Sequence, residues 1–189
     1  MKKREIEIKL VVLANMASFA QLRFMMSSIF KTTELTSYSS GTYADQYWKA
    51  PASDFVRLRV GREPQLTTKK TDRQDIADRA EVEVNLTNDQ IDGLADVLTT
   101  MLGSEGGTIL WTFCDWEVGT HAGTVTVSLM HNHEDRQNYF IEVEGDDAVT
   151  VAEMVSRVKG NLAQEHGINV EKVKNSFFDI YVNRQGVKV

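Results

Sequence analysis

The stretch EIEIKL, Glu5 to Leu10, decides how the rest of the chain is read. A strand alternates its faces with period two, so Glu5, Glu7 and Lys9 share one face while Ile6, Ile8 and Leu10 share the other. An apolar face against a core is ordinary. The charged face either meets water or turns inward onto something both anionic and metal-bound, and the remaining strands bear on that choice.

The same device recurs along the chain. In DFVRLRVG, Val56, Leu58 and Val60 alternate with Arg57 and Arg59; a turn at Gly61 to Pro64 leads into QLTTKKT, with Thr67 and Lys69 on one face. RAEVEVNL places Arg79, Glu81 and Glu83 opposite Val82, Val84 and Leu86, and NYFIEVEG sets Glu142 and Glu144 against Ile141 and Val143. One such strand is what any half-solvated antiparallel sheet produces. A solvated face, however, mixes its polar residues, whereas these are sorted into acidic doublets (Glu5/Glu7, Glu81/Glu83, Glu142/Glu144) and a basic set (Lys9, Arg57, Arg59, Lys69, Arg79). If the strands close into a barrel, the sorted charges meet across its lumen. Carboxylates on adjacent strands offer hard oxygen ligands to Mg²⁺ or Mn²⁺, while Arg and Lys grip phosphate oxygens.

Composition agrees with a globular domain. The 189 residues are 42% hydrophobic and 25% charged, which suits one substantial domain over residues 1–189. The lone Cys114, in the apolar context WTFCDW, reads as a core residue in a reducing compartment. The charged start MKKREIE has no secretory character, and no apolar run is long enough to span a bilayer, so a cytoplasmic location without membrane contact is expected. A net charge of −6 argues against a general nucleic-acid binder. Helices are expected in NMASFAQLRFMMSSIF, with Asn15 as N-cap, in TNDQIDGLADVLTTMLG behind a Thr87/Gln90 capping box, and over about Val149 to Glu165. SYSSGTYADQYWK, TILWTFCDWEV, GTVTVSLM and SFFDIYV read as further strands.

The order of these motifs resembles the CYTH superfamily, the triphosphate tunnel metalloenzymes, which include class IV adenylate cyclases and thiamine triphosphatases. The matching residues are EIEIK (Glu5 to Lys9), RLR (Arg57 to Arg59), TTK (Thr67 to Lys69), RAEVE (Arg79 to Glu83), EVE (Glu142 to Glu144) and the closing NSFFDIYV, so the likeness covers nearly the whole chain. It implies an α+β fold: an eight-stranded antiparallel β-barrel, or tunnel, with a polar lumen and helices packed outside. It also implies a metal-dependent triphosphatase. Glu5, Glu7, Glu142 and Glu144 would hold Mg²⁺ or Mn²⁺, and Lys9, Arg57, Arg59, Lys69 and Arg79 would grip the phosphates. Glu81 and Glu83, with Lys69, would serve catalysis, the acids either orienting the cations or positioning water. The substrate would be a nucleotide, thiamine triphosphate or tripolyphosphate, with an RNA 5′ end less favoured. Cyclisation of ATP and non-catalytic capture of a nucleotide or polyphosphate are the alternatives.

Two departures stand out. Family enzymes carry one or two basic residues on the strand that here reads Leu110, Trp111, Thr112 and Phe113, which weakens the expected grip on a triphosphate. Before the late acidic doublet, SLMHNHED offers only Asp135 where an acid is common. His131 and His133 read as a turn before they read as ligands, and Tyr43, Tyr47, Trp111, Trp116, Met25 and Met26 as packing residues.

Overall fold

The computed structural model describes residues 6–13, 17–30, 32–51, 53–71, 79–104, 106–135 and 137–189, the side chains of 70, 71 and 79–81 excepted. The alternating segments form strands: β1 (Ile6–Val12), β2 (Leu35–Ala50), β3 (Ser53–Val60), β4 (Gln65–Thr71), β5 (Arg79–Asn85), β6 (Gly107–Thr120), β7 (Gly123–Asn132), β8 (Tyr139–Gly145) and β9 (Val170–Lys172). They hydrogen-bond in the order β5-β4-β3-β2-β6-β7-β8-β1-β9. The β1/β8, β1/β9, β2/β3, β3/β4, β4/β5 and β7/β8 ladders are antiparallel. The fold is therefore α+β around a large antiparallel sheet. Its described strands number nine against the eight that the resemblance implies, and the three-residue β9 is too short to show alternation. Among the described residues no ladder joins β5 to β9, so closure into a barrel is not shown.

The described residues of Thr42–Trp111 and Asn175–Lys188 form one compact unit, and those of Glu5–Gly41 and Thr112–Lys174, with Val189, form another. In the second unit the apolar faces of β1, β7 and β8 present Leu10, Val12, Val125, Val127, Leu129, Ile141 and Val143. Two helices cover them: α1 (Phe19–Ile29) with Leu22, Met26 and Ile29, and α4 (Ala148–His166) with Val151, Met154, Val158 and Leu162. Each such side chain, taken out of water, contributes about 1.5–3 kcal/mol before entropy is counted. Cys114 and Trp116 belong to this core. Asn15 lies outside the described residues, and the cap of α1 is Ser18: its hydroxyl accepts from the Gln21 N–H at 3.3 Å, and the Gln21 side chain accepts from the Ser18 N–H at 2.7 Å.

In the first unit Trp48 and Leu58, with Val56, Val60 and Leu66, pack beneath α2 (Asn88–Ile91) and α3 (Leu94–Leu102) through Ile91, Leu94, Leu98 and Leu102. The single helix expected here is two, because Gly93 takes φ +84°, a left-handed conformation that ends one helix and starts the next. Gly61, at φ +108°, makes the β3–β4 turn, where a Cβ would also crowd the Thr42 carbonyl at 3.3 Å. The closing SFFDIYV is not a strand: Phe178–Val182 is a short π-helix. Ser176 and Asp179 explain it, since the Ser176 hydroxyl donates to the Asp179 carboxylate at 2.7 Å and accepts from the Asp179 N–H at 3.1 Å. That reciprocal cap starts a helical turn despite the β-prone aromatics. No helix of the described residues is long and apolar enough to cross a membrane.

Candidate functional site

Opposite its core, the second unit carries an acidic sheet face. Register puts Glu7 of β1 across from Glu144 of β8, and Lys9 across from Glu142. β7 continues the rows with Thr126 beside Glu144 and Ser128 beside Glu142. Lys9, only 8% exposed, donates to Glu7 Oε1 at 3.0 Å and lies 3.1 Å from Glu142 Oε1. These two rows thus carry three carboxylates, one ammonium and two hydroxyls; Glu5 lies outside the described residues. Like charges directly opposite each other destabilise a sheet, so facing Glu7 and Glu144 is an arrangement that favours a cation nearby.

The donors suit a hard ion. Carboxylate and hydroxyl oxygens match Mg²⁺ or Mn²⁺, and Mg²⁺ takes one or two protein carboxylates while keeping water and substrate phosphate in its shell. A group of three or more His, Cys, Asp or Glu residues poised around one ion does not occur among the described residues. Glu7 and Glu144 are the facing carboxylates of these rows that could hold such an ion.

The first unit carries a charged face of mixed sign, arranged in rows across four strands. Tyr47, Arg57, Thr67 and Glu83 form one row; Asp45, Arg59, Gln65 and Asn85 the next; Phe55, Lys69 and Glu81 a third. Asp45 is 1% exposed and organises the arginines. Arg59 donates to it twice, Nε to Oδ1 at 2.9 Å and Nη2 to Oδ2 at 3.1 Å, and the Arg57 Nη1 lies 3.9 Å from Oδ2. Burial alone would raise the Asp45 pKa, but the Arg59 and Arg57 charges outweigh it and hold the carboxyl below its usual value. Burial likewise opposes the Arg59 charge, and Asp45 overrides it, raising that pKa further. The Arg59 guanidinium also lies over the Tyr43 ring, 4.4 Å from its centroid. Arg57, 12% exposed, donates from Nη2 to Thr67 Oγ1 at 3.0 Å and to Gln65 Oε1 at 3.2 Å, with Glu83 Oε1 at 3.9 Å.

The expected residues therefore fall into two groups. Glu7, Lys9, Glu142 and Glu144 come together in one unit, and Arg57, Arg59, Lys69 and Glu83 in the other. Arg79 and Glu81 sit on β5 by backbone, their side chains lying outside the described set. Asp135 does not fill the missing acidic position: its carboxylate accepts from the Gln137 and Asn138 N–H groups and the Asn138 amide, fixing the turn between β7 and β8. His131 and His133 point to separate partners, the Asp135 carbonyl at 2.9 Å and the Thr112 hydroxyl at 2.7 Å. Tyr43, Tyr47, Trp111 and Trp116 are buried.

Two acids are not picked out by the alternation of like charges. Asp45 stands between Tyr43 and Tyr47, and Asp115, also buried, accepts from Ser39 at 3.2 Å. The available signal is composition: aspartate is depleted in strands, so one among aromatics at strand spacing marks a buried partner.

No protein-family model matches the sequence, and no curated protein matches it. Solved structures share the fold at low identity. A conserved hypothetical protein from Pyrococcus furiosus is 18% identical, with a TM-score of 0.60 over 93% of this chain and 98% of its own. A Pyrococcus horikoshii OT3 protein is 20% identical, with 0.62 over 96% and 99%. A Bacillus halodurans protein bearing the name "putative adenylate cyclase" is 14% identical, with 0.61 over 95% and 98%. The chain thus shares its fold with these proteins over nearly its whole length.

Proposed function

We propose that this protein is a divalent-metal-dependent phosphohydrolase of CYTH-like kind, acting on a triphosphate. One observation carries the reading: sorted acids and bases that could have faced water are withdrawn from it, with Lys9 8%, Arg57 12%, Arg59 19% and Glu142 19% exposed. A solvated sheet face leaves such side chains in water, and desolvating charges is costly unless they are paired and hydrogen-bonded.

Glu7 and Glu144, with Glu5 and Glu142, would hold Mg²⁺ or Mn²⁺, which supplies charge neutralisation on the phosphate oxygens. Lys9 keeps Glu7 and Glu142 in place through its two short contacts. Arg57 and Lys69, with Arg79, supply positive charge to the phosphates, and the Thr67 and Gln65 acceptors fix the direction of the Arg57 fork. Glu83 and Glu81 orient those cations or hold the attacking water. Phosphoryl transfer asks for positioning and electrostatics more than for a nucleophilic side chain, which this residue set can supply.

The Bacillus halodurans neighbour's name favours a second reading, cyclisation of ATP. Incubation with Mg²⁺ or Mn²⁺ and tripolyphosphate, thiamine triphosphate or ATP, with product analysis, separates the two. Orthophosphate release supports the hydrolase, cyclic AMP with pyrophosphate supports the cyclase, and binding without turnover of any of them overturns both in favour of a capture protein.

A further inference from the structure

We infer that Lys9 is a built-in counter-ion of the acidic rows: its ammonium holds Glu7 and Glu142 while no divalent ion is bound, competes with that ion for the two carboxylates, and leaves them when the ion binds. This rests on the metal-dependent reading above and deepens it, by making cation binding and the freeing of Lys9 one linked event.

The register sets up the competition. Glu7 faces Glu144, and Lys9 faces Glu142, across the β1/β8 ladder, so three carboxylates take neighbouring positions on one sheet face. Their mutual repulsion calls for positive charge close by. Lys9 supplies it: one ammonium donates to Glu7 Oε1 at 3.0 Å and stands 3.1 Å from Glu142 Oε1, with the side chain 8% exposed. An ammonium withdrawn so far from water is held there by the charge of the acids beside it. Each carboxylate has two oxygens, so space alone would let Lys9 and Mg²⁺ or Mn²⁺ share the pair. Charge decides otherwise, because a divalent ion repels a neighbouring ammonium twice as strongly as a unit charge at the same distance and outbids it for the same carboxylates. The lysine stem is flexible and its three donors suit any oxygen acceptor, so the ammonium can pass to an anion such as a phosphate. Linkage then works in both directions: the divalent ion favours whatever binds the freed ammonium, and that anion favours the ion by the same factor.

Two titrations test this with the metal alone and no phosphate present. Electron paramagnetic resonance counts free Mn²⁺: Lys9→Met, which keeps most of the stem and removes the charge, should bind Mn²⁺ about tenfold more tightly than the wild type, the worth of one charge-assisted hydrogen bond. Ions held elsewhere on the protein are recognised because they survive Glu7→Gln/Glu144→Gln. In the wild type, the ammonium nitrogen signal of Lys9, assigned through its own carbon correlations by NMR, should move as Mg²⁺ is added. Equal or weaker Mn²⁺ binding by Lys9→Met overturns the competition and makes Lys9 a fixed strut of the acids. A Lys9 signal that stays in place while Mg²⁺ binds does the same, and it decides alone should Lys9→Met fail to fold. Neither of these failures touches the triphosphatase reading, which stands or falls on turnover. If neither protein takes up a divalent ion, the competition and the metal-dependent reading fail together.

Discussion

Replacing Asp45 by Asn should unfold this protein at a markedly lower temperature, and the structure sets the size of the loss. The substitution keeps the side chain's volume but removes its charge, and turns one of the two acceptors facing Arg59 into a donor. Removing one partner from a buried ion pair costs about 3–5 kcal/mol, of which the surviving neutral hydrogen bond returns about 1. The net loss is therefore about 3 kcal/mol. For a chain of this length that lowers the melting temperature by about 6–12 °C. Differential scanning calorimetry at pH 7 measures it directly. A fall of less than about 3 °C would place the pair in the class of exposed salt bridges, worth about 0–1 kcal/mol, and refute the account of a buried brace. The pH dependence has a definite sign. The Asp45 carboxyl is held below its ordinary 3.8, so the unfolded chain binds the proton first. The pair's contribution is full above that ordinary value and disappears as pH falls through the lower, folded one.

Two further outcomes follow from other parts of the molecule. Gly93→Ala should cost about 1 kcal/mol, read as a shift in the urea midpoint, because φ +84° at the α2–α3 break disfavours any Cβ even though nothing lies within 4 Å of it; no measurable loss would mean the break does not need glycine. Burial, with His133 nearby, lowers the His131 pKa below its ordinary 6.5 against the opposing pull of the Asp135 carbonyl. Neutral His131 therefore stabilises the fold above about that pH and loses this contribution as pH falls, so His131→Gln should flatten the fall in melting temperature between pH 7 and pH 5. An unchanged slope would remove His131 from that transition.

Much of the sheet is legible in the sequence, because alternation with period two is a direct image of one apolar and one polar face. Glu7/Lys9, Arg57/Arg59 and Glu142/Glu144 are found that way, and the structure places them on sheet faces opposite the cores. What alternation hides is anything carried by a single residue. Asp45 makes no doublet, yet it is the carboxylate that the Arg59 fork closes on. The spacing Ser176-x-x-Asp179 is a capping signal, but it is masked by five aromatic and β-branched neighbours that read as a strand. Gly93 is visible as a glycine inside a helical pattern, and only its left-handed conformation shows that it divides the helix. Val82 and Val84 show the opposite failure: alternation assigns them to a buried face, and on the terminal strand β5 both are half exposed.

The central claim is that these acids and bases bind a triphosphate together with a divalent ion. Phosphorus NMR of tripolyphosphate incubated with Mn²⁺-free, Mg²⁺-loaded protein tests it in one spectrum series, comparing the wild type with Glu7→Gln/Glu144→Gln. Conversion to pyrophosphate and orthophosphate by the wild type, abolished in a double variant that still melts cooperatively, is the predicted result. Equal conversion by both proteins would contradict it.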